Sequence, residues 1–167
     1  HFWMTCTESK KIVHQWRAVE DAILVGRNTA EKDNPSLTVR EIEGNHPIRI
    51  VIDKDLKLSN ALDLFNSQAE TIIFNSIKTK EINSNVFLKV NFNNLITNIL
   101  KELYNRKIQS IIVEGGARTL QTFIDRNMWD EARIFTANEI LFDGVRAPKI
   151  EGKIISEKKI KDDVLKI

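Results

Sequence analysis

SIIVEGGARTLQTFID, residues 110–125, joins a short apolar run, a double glycine and an amphipathic helix pattern with no gap between them. Ile111, Ile112 and Val113 are β-branched and apolar on both faces, as expected of a buried parallel strand. Gly115 and Gly116 let the backbone turn sharply and approach a ligand closely. Leu120, Phe123 and Ile124 then fall at i, i+3 and i+4, the core-facing stripe of a helix whose first-turn N–H groups point out of the strand's carboxyl end. Phosphate binds well at such a place. A double glycine after a strand is by itself more often only a tight turn. Glu114 argues for more, because a carboxylate closing a buried strand is costly to desolvate unless it has a partner or a task. No third glycine follows at G-x-G-x-x-G spacing, so the stretch alone indicates a nucleotide or phosphate and nothing finer.

The 167 residues, 42% hydrophobic and 29% charged, suit one globular domain with a full core, and no repeat, low-complexity tract or linker divides them. Twenty-five basic against 23 acidic residues give a net charge of +2, a near balance that does not indicate nucleic acid. The single cysteine, Cys6, excludes an internal disulfide framework and a cysteine-based zinc cluster, and the three histidines show no H-x-x-x-H spacing. No apolar run approaches the length of a membrane span and no signal-like segment opens the chain, so the expectation is a cytoplasmic protein.

Around the central stretch the pattern alternates. Thr5 followed by Glu8 is a capping-box signature for a helix over residues 6–19, with Ile12, Val13, Trp16 and Val19 on one face. Arg17 lies beside that face, either a solvated residue or a cation reaching toward an anion. Residues 21–26 read as a buried strand closed by a glycine, with Thr29 as a candidate cap for the next short turn. Residues 33–36 are turn chemistry, and residues 37–39 a brief extended piece ending in Arg40. Strands are expected at 48–53, 71–75, 86–90 and 132–137, a short helix at 61–65, and a helix at 94–106 with Leu95, Ile99, Leu103 and Tyr104 on one side. Residues 153–167 read as a closing antiparallel strand pair. The alternation predicts an α/β fold with a mostly parallel central sheet and helices on both faces.

The runs DAILVGRNT (21–29), DNPSLTVR (33–40) and VEGGA (113–117), in that order, resemble the reductase domain of the bifunctional riboflavin-biosynthesis deaminase/reductase. The likeness extends from the Trp3-x-Thr5 opening to about Asp143 and implies the three-layer dihydrofolate-reductase-like fold. It also implies NADPH-dependent reduction of the ribosyl group of 5-amino-6-(5-phosphoribosylamino)uracil to the ribityl form, with no metal. By matching position, Trp3, Thr29 and Asp33 would contact the cofactor. The backbone of Gly115, Gly116, Ala117, Arg118, Thr119, Leu120, Gln121 and Thr122 would hold its pyrophosphate. Lys54, after the IVID strand, would meet the adenosine 2′-phosphate, with a solvated surface lysine as the competing reading. Arg17, Leu37, Arg40 and Glu114 match substrate-contacting positions, the arginines for the phosphate and Glu114 as the catalytic candidate beside the hydride path.

The family's domain begins with a strand and an Asp-Gly turn upstream of the Trp-x-Thr element, so the expectation is a single reductase domain, residues 1–167, lacking its first strand. The deaminase half, with its His and paired Cys zinc ligands, is not in this sequence. The resemblance implies a homodimer acting on a small phosphorylated substrate. Two other readings remain: another NADPH reductase of the same fold, such as a folate-type enzyme, and a noncatalytic nucleotide-binding module. Arg17 and Arg40 discriminate, because a phosphorylated sugar needs cations whereas a pterin needs an acidic group at its amino-pyrimidine edge.

Overall fold

In the computed structural model, which describes residues 4–138 and 143–167, the strand Ala22–Gly26 (β1) is buried at every position because parallel strands flank it on both sides. Its neighbours are Ile48–Ile52 (β2) and Ile111–Gly115 (β6). Beyond β2 lie Thr71–Asn75 (β3) and Asn85–Lys89 (β5), with Lys80–Ile82 (β4) hairpinned onto β5. The sheet order is β4-β5-β3-β2-β1-β6, parallel throughout except for β4.

Side chains alternate between its two faces. Leu24, Ile50, Ile72 and Phe74 meet Ile96, Ile99 and Leu103 of the helix Leu95–Asn105 (α3) and Phe123 of the helix Ala117–Asp125 (α4). On the opposite face Ile23, Val25, Val51 and Ile73 meet Ala30 of the helix Arg27–Asp33 (α2) and Leu37, Leu58 and Leu64. The architecture is the three-layer α/β arrangement expected. A second, antiparallel sheet orders Ile134–Thr136 (β7), Asp163–Lys166 (β9) and Glu157–Ile160 (β8). Among the described residues no helix is long and apolar enough to cross a membrane, and no group of three or more His, Cys, Asp or Glu could hold a metal ion.

Several local expectations are corrected. The helix Thr7–Val19 (α1) starts at Cys6 with no side-chain cap. The Cys6 N–H donates to Asp163 Oδ2 at 2.8 Å and Ser9 Oγ donates to the same oxygen at 2.6 Å, while Glu8 pairs with Lys161, so no capping box forms. On α1 the buried residues are Ser9 and His14, and Val19 is 81% exposed. Thr29 lies inside α2, whose N-cap is Gly26. Residues 37–39 form no strand but a buried loop, with Leu37 at φ 53°. Residues 61–65 hold only a 3-10 turn, Asp63–Phe65, β4 was not anticipated, and Tyr104 faces solvent. Strand β6 is only partly buried before Gly115 because it ends the sheet order.

Candidate active site

The carboxyl ends of β1 and β6 meet in a glycine turn. Gly116 sits at φ +74° and is the N-cap of α4, with no side chain capping the helix. The Leu120 N–H donates to Gly116 O at 3.1 Å, so the amides of Ala117, Arg118 and Thr119 form a first turn with no intrahelical acceptor. A Cβ on Gly115 would come within 2.9 Å of Thr29 Cγ2, one on Gly116 within 3.1 Å of Thr29 Oγ1, and one on Gly26 would run into Thr119 Oγ1. Three glycines thus let Thr29 and Thr119 close round an uncapped helix start, a cradle suited to an anionic group.

Glu114 stands beside that cradle because of an irregularity in the sheet. Leu24 pairs with Val113 and Val25 with Gly115, which leaves Glu114 as the extra residue of a bulge, a device that re-aims a side chain. Its carboxylate receives Arg17 Nε at 2.8 Å and Arg17 Nη2 at 2.7 Å, and Arg17 Nη1 donates to Thr38 O at 3.3 Å. Three of the five guanidinium N–H donors are therefore engaged within the protein. The Arg17 side chain is 11% exposed and that of Glu114 25%, so the pair is shielded, with Glu114 the more accessible partner.

Arg17 belongs to a polar stripe on α1. Lys10, His14 and Arg17 are spaced i, i+4 and i+7, and each reaches the same loop. Lys10 Nζ pairs with Glu41 at 2.6 Å, His14 Nδ1 accepts the Arg40 N–H at 3.1 Å, and Arg17 meets Thr38. The adjacent Val39 N–H donates to His46 Nδ1 at 3.2 Å. Burial first, and then the charges of Arg17 and Arg40 and more weakly Lys10, hold the His14 imidazole below its ordinary pKa, with Glu41 opposing. His14 and His46 were not singled out in the sequence. The i, i+4, i+7 spacing with Lys10 and Arg17 was a signal for His14, and none existed for His46.

The remaining candidates lie on other elements of the fold. Arg40 is exposed, with Nη1 donating to Ser36 Oγ at 3.0 Å, and Leu37 is buried in the same loop. Asp33 ends α2 at the surface, where the next residue, Asn34, turns left-handed at φ 41° and accepts the Asp63 N–H. Lys54 follows β2 with its ammonium 5.8 Å from the Phe92 ring centroid, and its carbonyl accepts from Ser76. Within α4 the Gln121 side chain is tied to Asp125 and to the Lys149 backbone, and Thr122 Oγ1 donates back to Arg118 O. Trp3 lies outside the described residues. Surface hollows lined by Val90, Asn98 and Glu102, and by Tyr104 and Gln109, flank α3 and share no residue with this site.

Comparison with known proteins follows the same outline. The RibD C-terminal domain pattern matches residues 1–161. The riboflavin biosynthesis protein RibD of Aquifex aeolicus is 36% identical over 151 residues, 86% of this chain and 42% of that protein. The 2,5-diamino-6-ribosylamino-4(3H)-pyrimidinone 5′-phosphate reductase of the same organism is 34% identical over 158 residues, 87% of this chain and 68% of that one. In structure, the Thermotoga maritima diaminohydroxyphosphoribosylaminopyrimidine deaminase/5-amino-6-(5-phosphoribosylamino)uracil reductase superposes with a TM-score of 0.86 at 27% identity, covering 98% of this chain and 49% of that one. The Saccharomyces riboflavin biosynthesis reductase Rib7 shares the fold, with a TM-score of 0.74 over 96% of this chain and 80% of its own. The chain thus spans less than half of the RibD protein and of the Thermotoga chain. With its sheet order, its glycine turn and a pattern match from residue 1 to 161, the chain belongs to the RibD C-terminal domain family.

Proposed function

We propose that this chain reduces the ribosyl group of 5-amino-6-(5-phosphoribosylamino)uracil to the ribityl form, with NADPH as the hydride donor. The family membership supports a riboflavin-biosynthesis reductase, and the observation that carries the finer reading is Glu114, bulged out of β6 beside the Gly115-Gly116 cradle and held at both oxygens by Arg17. When bound, the nicotinamide supplies the hydride; the protein's task is to position the two partners. The outward amides of Ala117, Arg118 and Thr119 suit the pyrophosphate. Arg17 fixes the carboxylate, and the accessible side of Glu114 accepts hydroxyl hydrogens of the ring-opened sugar and orients its carbonyl or imine carbon. Arg40, exposed on its loop and bonded through Nη1 alone to Ser36, is the cation for the substrate phosphate.

The test is NADPH oxidation followed with the phosphoribosylaminouracil and, separately, with the 2,5-diaminopyrimidinone phosphate that names one of the relatives. Turnover of the uracil is expected. Absence of turnover with both pyrimidines at saturating NADPH would remove the reading. The cofactor preference has its own check: Lys54 at the carboxyl end of β2 lies apart from the α4 cradle, offering one site for the 2′-phosphate and another for the pyrophosphate. Calorimetry should give tighter binding of NADPH than of NADH, with the difference shrinking as salt screens Lys54. Equal affinities would sink the specificity while leaving the fold untouched.

Three further parts belong to the same proposal. An upstream strand of the kind the family carries would find a partner in β6, which ends the six-stranded order. A second copy would cover apolar side chains left exposed at Ile134, Ile154 and Ile155, giving a homodimer. Its compartment would be the cytoplasm.

A further inference from the structure

We propose that His14 and His46 are positioning residues for the substrate loop, each holding with an unprotonated Nδ1 one of the consecutive amides of Val39 and Arg40 and so aiming the Arg40 guanidinium. This deepens the proposed function and rests on it for the role of Arg40, though not for the state of the loop.

The geometry is specific. An amide N–H can only donate, so an imidazole nitrogen facing it must carry a lone pair. His14 is 2% exposed and sits on α1 between two other residues that grip the same loop, Lys10 through Glu41 and Arg17 through Thr38. His46, exposed seven residues further along the same connection, takes the neighbouring amide. The segment they hold, residues 37–39, is buried although it belongs to no strand, and its first residue, Leu37, has a left-handed backbone. At its end the amides of Val39 and Arg40 take from side chains the acceptors that a sheet would otherwise supply. Protonating His14 would set an N–H against the Arg40 N–H, and the loop would have to release.

Burial, and then the charged groups around His14, fix the sign. Arg17 on its own helix, Arg40 on the loop and more weakly Lys10 disfavour the imidazolium, and Glu41 opposes them. Its pKa is thus lowered in the folded state. The contact is fully present above the ordinary histidine value of about 6.5 and is lost as pH falls through the lowered one.

The experiment compares the wild type with His14→Asn and His14→Gln. Asparagine can place an acceptor oxygen where Nδ1 lies, whereas glutamine places one nearer Nε2. At neutral pH, H14N should keep the KM for the phosphorylated substrate within about threefold of wild type, and H14Q should raise it about tenfold, with kcat and NADPH affinity little changed in either. In acid the wild-type KM should climb more steeply than that of H14N, whose acceptor does not titrate; the substrate's own phosphate ionisation is common to both. Hydrogen exchange and the NMR shift of the Arg40 amide give a reading independent of turnover. The exchange protection, taken relative to the intrinsic rate at each pH, and the shift should follow His14 titration in the wild type and show no such step in H14N. Identical pH profiles, or an Arg40 amide indifferent to His14 titration, would overturn the proposal. A chain with no reductase activity whose Arg40 amide still tracks His14 would instead overturn the reaction and leave the loop anchor standing.

Discussion

Glu114→Gln is expected to lower kcat by about a hundredfold while leaving NADPH affinity unchanged. The substitution keeps the size of the side chain and the bulge that aims it, and removes the charge that meets Arg17 and that the proposed function offers to the sugar hydroxyls. A glutamine oxygen can still accept from one guanidinium nitrogen, so the pair is weakened rather than abolished. The charge left without its partner is that of Arg17, 11% exposed but still bonded to Thr38 O and to the glutamine oxygen, so the stability cost is below that of stranding a fully buried charge, on the order of 1 kcal/mol. For a domain of this size that is a fall in Tm of about 2–4 °C. The two readouts separate cleanly: steady-state kinetics should show the large effect, thermal unfolding the small one, and calorimetry none. A variant that melts far earlier but keeps its turnover would make Glu114 a structural strand-end residue, its charge needed only to accommodate Arg17.

The strands were legible because their signal is local. Runs such as residues 22–26 and 71–75 are apolar on both faces, and a parallel strand buried on both faces needs nothing else to declare itself. The glycine turn was legible for a related reason, since φ +74° at Gly116 and the close approach of Thr29 demand the absence of a Cβ. What stayed hidden depended on partners distant in the chain. The Thr5/Glu8 capping signature fails because Asp163, 157 residues beyond Cys6, takes the N-cap amide. The polar stripe of Lys10, His14 and Arg17 reads as a solvated face until the loop at 38–41 is laid against it. β6 reads as a fully buried strand because its side chains are apolar, and only the sheet order reveals that it lies at an edge. The bulge at Glu114 is invisible for the same reason: it is a mismatch of register between two strands, and no single strand contains it. The carboxylate's importance could be guessed from the cost of burying it, but not the fact that Arg17 would offset that cost.

Gly116→Ala should be the most damaging small substitution in the cradle. At φ +74° and ψ 123° an L side chain is strained wherever space exists, and here the new Cβ would also stand 3.1 Å from Thr29 Oγ1. The strain is about 1–3 kcal/mol, which the chain can relieve by rotating the peptide that leads into α4. That rotation swings the amides of Ala117, Arg118 and Thr119 away from their common direction, and Thr29, packed against both glycines, cannot follow without disturbing the end of α2. NADPH affinity should therefore fall by at least about tenfold, the equivalent of one well-made charge-assisted hydrogen bond. Thermal stability should drop at the same time. Thr29→Ser, which removes the methyl group 2.9 Å from the Gly115 Cβ position and keeps the hydroxyl, serves as the control for crowding at that neighbouring glycine. Placed in the background of Gly115→Ala, it should recover part of the lost stability, whereas in the background of Gly116→Ala it should recover little, because there the backbone angle and the retained Oγ1 both remain. Calorimetric titration and thermal melts of these five variants and the wild type decide the matter. Undiminished NADPH binding by Gly116→Ala would show that the pyrophosphate does not use this helix start, and the anion site would have to be sought elsewhere along the carboxyl edge of the sheet.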